Sequence, residues 1–234
     1  MKRKDKKAEE RLKRQQLKEE RQKAKRRKQA TLTRETPERT EKQYILIVCE
    51  GKNTEPSYFN HFKLSTAVIK SVGLGYNTIS LVKKAVELAK EDEYNQVWCV
   101  FDKDDFPAQD FNNAIFLAKD KGFGIAYSNQ AFEYWLILHF EDHQGGAMHR
   151  DQYADKLNKY LKDFGLKYDK ESKEITANIF DVLQSKFPEK DKTRQAVAIE
   201  RAERIYNTYD HRSPAEEESS TSIFELMKEI DKYT

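Results

Sequence analysis

At 234 residues the chain can bury one domain with a smaller helical annex, and its 35% charged residues exceed the roughly 25% of average globular usage. No run approaches the ~18 consecutive apolar residues of a membrane span, no apolar h-region follows the basic start, and two cysteines inside apolar runs exclude a disulfide framework, so a cytoplasmic, reducing setting is expected. The charge is sorted: residues 1–30 hold 15 Lys/Arg against 5 Asp/Glu, a net of +10, and the +3 of the whole chain then leaves −7 for the rest.

Residues 1–42 carry few large apolar side chains beyond Leu12, Leu17 and Leu32, so burial cannot offset their ordering entropy. A disordered or solvated helical arm is predicted. It is either a nucleic-acid-binding arm that neutralises phosphates or a solubilising tail.

From Tyr44 to Cys49 the residues are continuously apolar, as in a strand covered on both faces of a parallel sheet. This first strand ends at Glu50-Gly51. Thr54-Glu55-Pro56 then predicts a helix start, with Thr54 as N-cap, Pro56 in the first turn, and Tyr58, Phe59, Phe62 and Val68 or Ile69 as the apolar face. The Gly-punctuated stretch Ser71–Tyr76 predicts the second strand, and Leu81, Val82, Ala85, Leu88 and Ala89 recur at helical spacing after it. Gln96–Phe101 reads as the third strand and stops on Asp102-Lys103-Asp104-Asp105. A helix over Ala108–Lys121, a fourth strand over Gly122–Ser128 and an apolar helix over Ala131–Phe140 complete an α/β domain over 43–145, a parallel sheet flanked by helices. Beyond Gly145-Gly146 only helical periodicity is found, in Tyr153, Leu157 and Leu161, then Ile179 and Leu183, then Ala198 and Ala202, then Ile223 to Ile230. This predicts an all-helical annex over 146–234.

Ligands of open parallel sheets bind outside the carboxyl ends of the strands, and acids stand there on two of the most apolar strands. Glu50 ends the first; Asp102 and Asp104 end the third. An Asp-x-Asp leaving a strand aims both carboxylates the same way while the chain stays extended. With Glu50 alongside, three hard oxygen ligands would suit Mg²⁺, which would also balance their charge. Acids at strand ends can equally be solvated loop residues. Glu133, at a helix start, either completes a metal site or complements the helix dipole, and Glu55 either supports the site or complements the dipole of its own helix. Lys52 and Lys103 flank the acids, as phosphate ligands or as surface charges. Asp105 could be aimed either way by its turn. His139 and His143, four apart on a helix, have zinc spacing but no third ligand, so a core hydrogen bond is the expectation for His139.

A strand-Glu-Gly followed later by a strand-Asp-x-Asp resembles the Toprim fold of topoisomerases, primases and OLD-family nucleases. More specifically, Cys49-Glu50-Gly51-Lys52-Asn53-Thr54-Glu55-Pro56-Ser57-Tyr58-Phe59 is similar to the Glu-Gly-x-x-Thr-Glu-x-x-Tyr-Phe signature of the RloB-like family, related to the abortive-infection protein AbiLii. Phe101-Asp102-Lys103-Asp104 matches that family's Phe-Asp-x-Asp. Ser128–Phe140 resembles its Ser-Asn-Pro-x-Phe-Glu-x-Trp-x-Leu-Leu-His-Phe block, with Gln130 where Pro is usual, and Ser219-Ser220-Thr221-Ser222 stands where an Asn-Pro-Ser-Thr-like stretch is expected. The resemblance spans Tyr44 to Phe140. It implies phage defence by abortive infection and metal-dependent cleavage of tRNA, other RNA or DNA, alongside an ATPase partner of the OLD or ABC type. Glu50 would act as general acid or base, Asp102 and Asp104 would hold Mg²⁺ or Mn²⁺, and the family block favours Glu133 as a further ligand. Homo-oligomerisation is left open. The competing functions are a Toprim-like module that binds nucleic acid or a partner without cutting, and a haloacid-dehalogenase-like phosphatase. The phosphatase motif wants Thr or Val where this chain has Asp105.

Overall fold

The structure, a computed structural model, describes residues 14–16, 18–23, 42–75, 78–104, 107–143, 148–188 and 190–234. Four strands, β1 (Gln43–Cys49), β2 (Ala67–Gly73), β3 (Gln96–Lys103) and β4 (Gly124–Asn129), form one all-parallel sheet in the order β2-β1-β3-β4. β1 shows why. Ile45, Leu46, Ile47, Val48 and Cys49 are all fully buried, and their side chains alternate between two cores. Leu46 and Val48 pack with α2 (Thr78–Leu88) and α3 (Ala108–Asp120) on one face. Ile45, Ile47 and Cys49 face α1 (Thr54–Asn60) and α4 (Glu133–Leu138) on the other. An α/β fold with helices on both faces of a parallel sheet follows, as expected.

The helices past residue 146 close the second of these cores. α5 (Arg150–Leu161), α6 (Ala177–Gln184), α7 (Arg194–Tyr206) and α8 (Ile223–Asp231) contribute Tyr153, Leu157, Ile179, Leu183, Ala198, Leu226 and Met227 to the cluster that holds Ile45 and Trp135. Glu41–Thr234 is one compact unit. Ser219–Ser222 lies along the free edge of β4. Ser222 N–H donates to the Tyr127 carbonyl at 2.8 Å, Asn129 N–H donates to the Ser220 carbonyl at 2.9 Å, and Ser128 pairs antiparallel with Thr221.

Several boundaries differ from expectation. α1 ends at Asn60, because Val68 and Ile69 belong to β2, which begins at Ala67 rather than Ser71. Thr54 is inside α1, not its cap; Asn53 precedes the helix, and the Thr54 hydroxyl instead meets the Tyr168 hydroxyl at 2.9 Å. α4 spans only Glu133–Leu138, so His143 lies beyond it and is not on one helix with His139. In the basic arm, residues 14–16 and 18–23 are helical and exposed; the remainder of its predicted span up to 41 lies outside the described residues. No described helix is long and apolar enough to cross a membrane.

Candidate active site

The site grows from the carboxyl ends of the two central strands. β1 and β3 are neighbours, with Cys49 opposite Val100, and the Glu50 N–H continues the ladder to the Val100 carbonyl at 2.9 Å. The Glu50 side chain then folds across the gap, and its Oε2 accepts from the Asp102 N–H at 3.2 Å. Because β3 runs on to Lys103, Asp102 leaves an extended backbone. Its Oδ2 accepts from the Phe132 N–H, just ahead of α4, at 3.1 Å, whereas Oδ1 is buried without a hydrogen-bond partner.

Two glycines border the turn after β1, and at Gly73, the last residue of β2, backbone stands in the way of any side chain. A Cβ on Gly73 would stand 2.3 Å from the Gly51 carbonyl oxygen, and one on Gly51 would stand 2.2 Å from Glu55 Oε2. That clearance lets Gly51 N–H donate to Glu55 Oε1 at 3.1 Å and draws Glu55, 4% exposed on α1, toward Asp102. Glu133, the first residue of α4, accepts from the Tyr168 hydroxyl at 2.7 Å. Asp104 accepts from Arg150 Nη1 at 2.8 Å.

Glu50, Glu55, Asp102, Asp104 and Glu133 therefore line one cleft with Lys52, Arg150 and Lys173. Burial, then Asp104 and Glu55, pushes the Glu50 pKa up to about 7. Burial, then Glu133, pushes Glu55 up to about 7, against the pull of Gly51 N–H and Lys173. Burial, then Glu55, Glu133 and Glu50, holds Asp102 well above the usual carboxylate range. Burial works against the charge of Arg150, but Asp102, Asp104 and Glu133 outweigh it and raise its pKa. The three cations do not offset burial and mutual repulsion at Glu50, Glu55 and Asp102, and such perturbed groups in a cleft mark functional sites.

The donor set suits a hard divalent cation, since all candidate ligands are carboxylate oxygens and one of them, Asp102 Oδ1, is buried and uncompensated. Among the described residues, no group of three or more His, Cys, Asp or Glu is arranged to hold a metal ion as it stands. One oxygen each of Glu50, Glu55, Asp102, Asp104 and Glu133 is already engaged by an N–H, a hydroxyl or the Arg150 guanidinium.

Five of the predicted acids thus come together, and Lys52 joins them on the rim. Lys103 does not line the cleft; its ammonium donates to the Asp104 carbonyl at 2.6 Å. Asp105 lies outside the described residues. His139 is buried with Nδ1 3.0 Å from the Trp135 carbonyl, as expected of a core histidine, although its Nε2 has no partner, and burial lowers its pKa to about 3. Sequence reasoning missed Arg150, Tyr168 and Lys173. All three arrive from the C-terminal half, where local periodicity carries no signal of a return to the strand ends.

A family model described as RloB-like protein matches residues 45–230. No curated protein and no solved structure matches the chain. The match runs from β1 through the acid cleft and on through the helices that share its core, and on that extent the chain belongs to the RloB-like family.

Proposed function

We propose that this protein is a metal-dependent nuclease that hydrolyses phosphodiester bonds in RNA or DNA. The observation that supports the reading best is the buried, unpartnered Oδ1 of Asp102 among four other carboxylates at the carboxyl ends of parallel strands. Asp102, Asp104 and Glu133, with Glu50 beside them, would hold Mg²⁺ or Mn²⁺. The ion would supply charge stabilisation on the phosphoryl oxygens and a more acidic bound water. Glu50 contributes a carboxyl group with Oε2 fixed by the Asp102 N–H and Oε1 left to take or give a proton. Glu55 and Tyr168 position this arrangement from behind, one by supporting the Gly51 turn and the other by orienting Glu133. Lys52 on the rim offers its charge to a substrate phosphate. A part in phage defence beside an ATPase of the OLD or ABC type is proposed on family membership.

The test is incubation of tRNA, single-stranded RNA and plasmid DNA with the purified protein in Mg²⁺, Mn²⁺ or EDTA, beside Asp102→Ala. Cleavage that needs the metal and vanishes in the variant is expected. Cleavage equal in EDTA, or equal in the variant, would overturn the reading. The ion pair between Arg150 and Asp104 favours a second reading, a module that binds nucleic acid or a partner without cutting. That module would show salt-sensitive binding, no cleavage under any metal, and no dependence on Asp102.

A further inference from the structure

Arg150 stands inside the acid cluster. Its Nη1 meets Asp104 Oδ2 at 2.8 Å, and the two side chains keep only 32% and 19% of their exposure, so the pair is less screened than a surface ion pair. Its charge is also felt by Asp102 and Glu133. The guanidinium therefore supplies the compensation that a divalent ion would supply, and it takes an oxygen that such an ion would need. A divalent ion on that carboxylate and the guanidinium beside it would repel one another, so the two compete for Asp104. Arg150 is the first residue of α5, and its long side chain ends in a planar fork that matches a phosphate as well as a carboxylate.

Resting on the nuclease reading, we propose that Arg150 is an exchangeable cation: it occupies Asp104 in the metal-free protein, is displaced when a divalent ion binds, and then takes a phosphate of the nucleic-acid strand. Ion and nucleic acid then bind cooperatively, each removing part of the cost of breaking the ion pair for the other, and the coupling is reciprocal.

The experiment is titration of the full-length protein with Mn²⁺, followed by the electron paramagnetic resonance of the free ion. Wild type is compared with Arg150→Gln and Arg150→Lys, each with and without a phosphorothioate oligonucleotide, in separate RNA and DNA arms. Circular dichroism checks that each variant is folded. Without oligonucleotide, Arg150→Gln should bind Mn²⁺ about tenfold more tightly than wild type, because a competing charge is gone, and Arg150→Lys should stay within about threefold. The oligonucleotide should tighten Mn²⁺ binding to wild type and leave Arg150→Gln unchanged. A folded Arg150→Gln that binds Mn²⁺ no more tightly than wild type overturns the exchange while the metal reading stands. So does an oligonucleotide that fails to move the wild-type affinity. Absence of Mn²⁺ binding in all three proteins overturns both.

Discussion

Replacing Glu55 with Gln should stabilise the metal-free protein above neutral pH and destabilise it slightly in acid. Glu55 is 4% exposed, and burial followed by the neighbouring Glu133 raises its pKa from 4.5 to about 7. An acid whose pKa is raised on folding binds more protons folded than unfolded. Its contribution is therefore fully present below 4.5 and is lost as pH rises through about 7. At ~1.4 kcal/mol per tenfold change in proton affinity, the rise from 4.5 to about 7 corresponds to roughly 3 kcal/mol lost above neutral pH. Gln keeps an acceptor for the Gly51 N–H but buries an amide N–H pair, which takes back about 1 kcal/mol. About 2 kcal/mol is left, and for a chain of this size each kcal/mol moves Tm by ~2–4 °C. Differential scanning calorimetry in EDTA should then find Glu55→Gln melting about 4–8 °C above wild type at about pH 8.5 and about 2–4 °C below it at about pH 4, where only the amide cost is left. Saturating Mg²⁺ at the higher pH should narrow the gap, because the ion compensates the same charge. An equal gap at both pH values, or a variant less stable than wild type at the higher one, would refute burial of an uncompensated carboxylate as the cause.

Tyr168→Phe removes the hydroxyl shared by Glu133 and Thr54; it should cost about 1 kcal/mol of stability and weaken Mn²⁺ binding about tenfold, as measured by denaturant unfolding and calorimetric titration. Gly73→Ala would place a Cβ 2.3 Å from the Gly51 carbonyl oxygen and 2.6 Å from Lys52 Cα, both of them backbone. Since neither can move aside without shifting the Glu50-Gly51 turn, it should cost about 1–3 kcal/mol by urea unfolding and abolish cleavage. Removal of residues 1–42 should leave the melting of the body unchanged within about 1 °C, weaken nucleic-acid binding about tenfold at low salt and flatten its decline with salt, read by fluorescence anisotropy.

Much of the sheet was legible because β1 and β3 are buried on both faces, and continuous apolar runs such as Ile45–Cys49 have few alternatives. The acids were legible for the same reason, since a carboxylate directly after a run of buried apolar residues, Ile45–Cys49 or Cys99–Phe101, interrupts the pattern sharply. β2 was displaced because its burial is partial and mixed, with Val68 exposed and Ser71 half-buried, so its pattern did not separate it from the helix before it. Thr54 looked like a cap because its residue type fits; the hydroxyl was instead taken by Tyr168, a partner 114 positions away. Arg150 and Tyr168 are the clearest losses. Arg150 reaches the cleft, and Tyr168 reaches Glu133 behind it, only through the packing of α5 and its following loop on the sheet, a long-range consequence that 3.6-residue periodicity does not encode. Likewise, Ser219–Ser222 gave no strand signal, because these residues use their backbone and hydroxyl groups to seal the β4 edge rather than to build a core.

If the acid cleft is a divalent-metal site, anomalous diffraction from crystals soaked in Mn²⁺ will locate the ion there. A peak in ligand contact with Asp102 Oδ1 and Asp104, with Arg150 swung away from Asp104, is the predicted result. An empty cleft at Mn²⁺ concentrations that support cleavage, or a peak bound only by residues elsewhere, would rule out a metal site at Asp102 and Asp104.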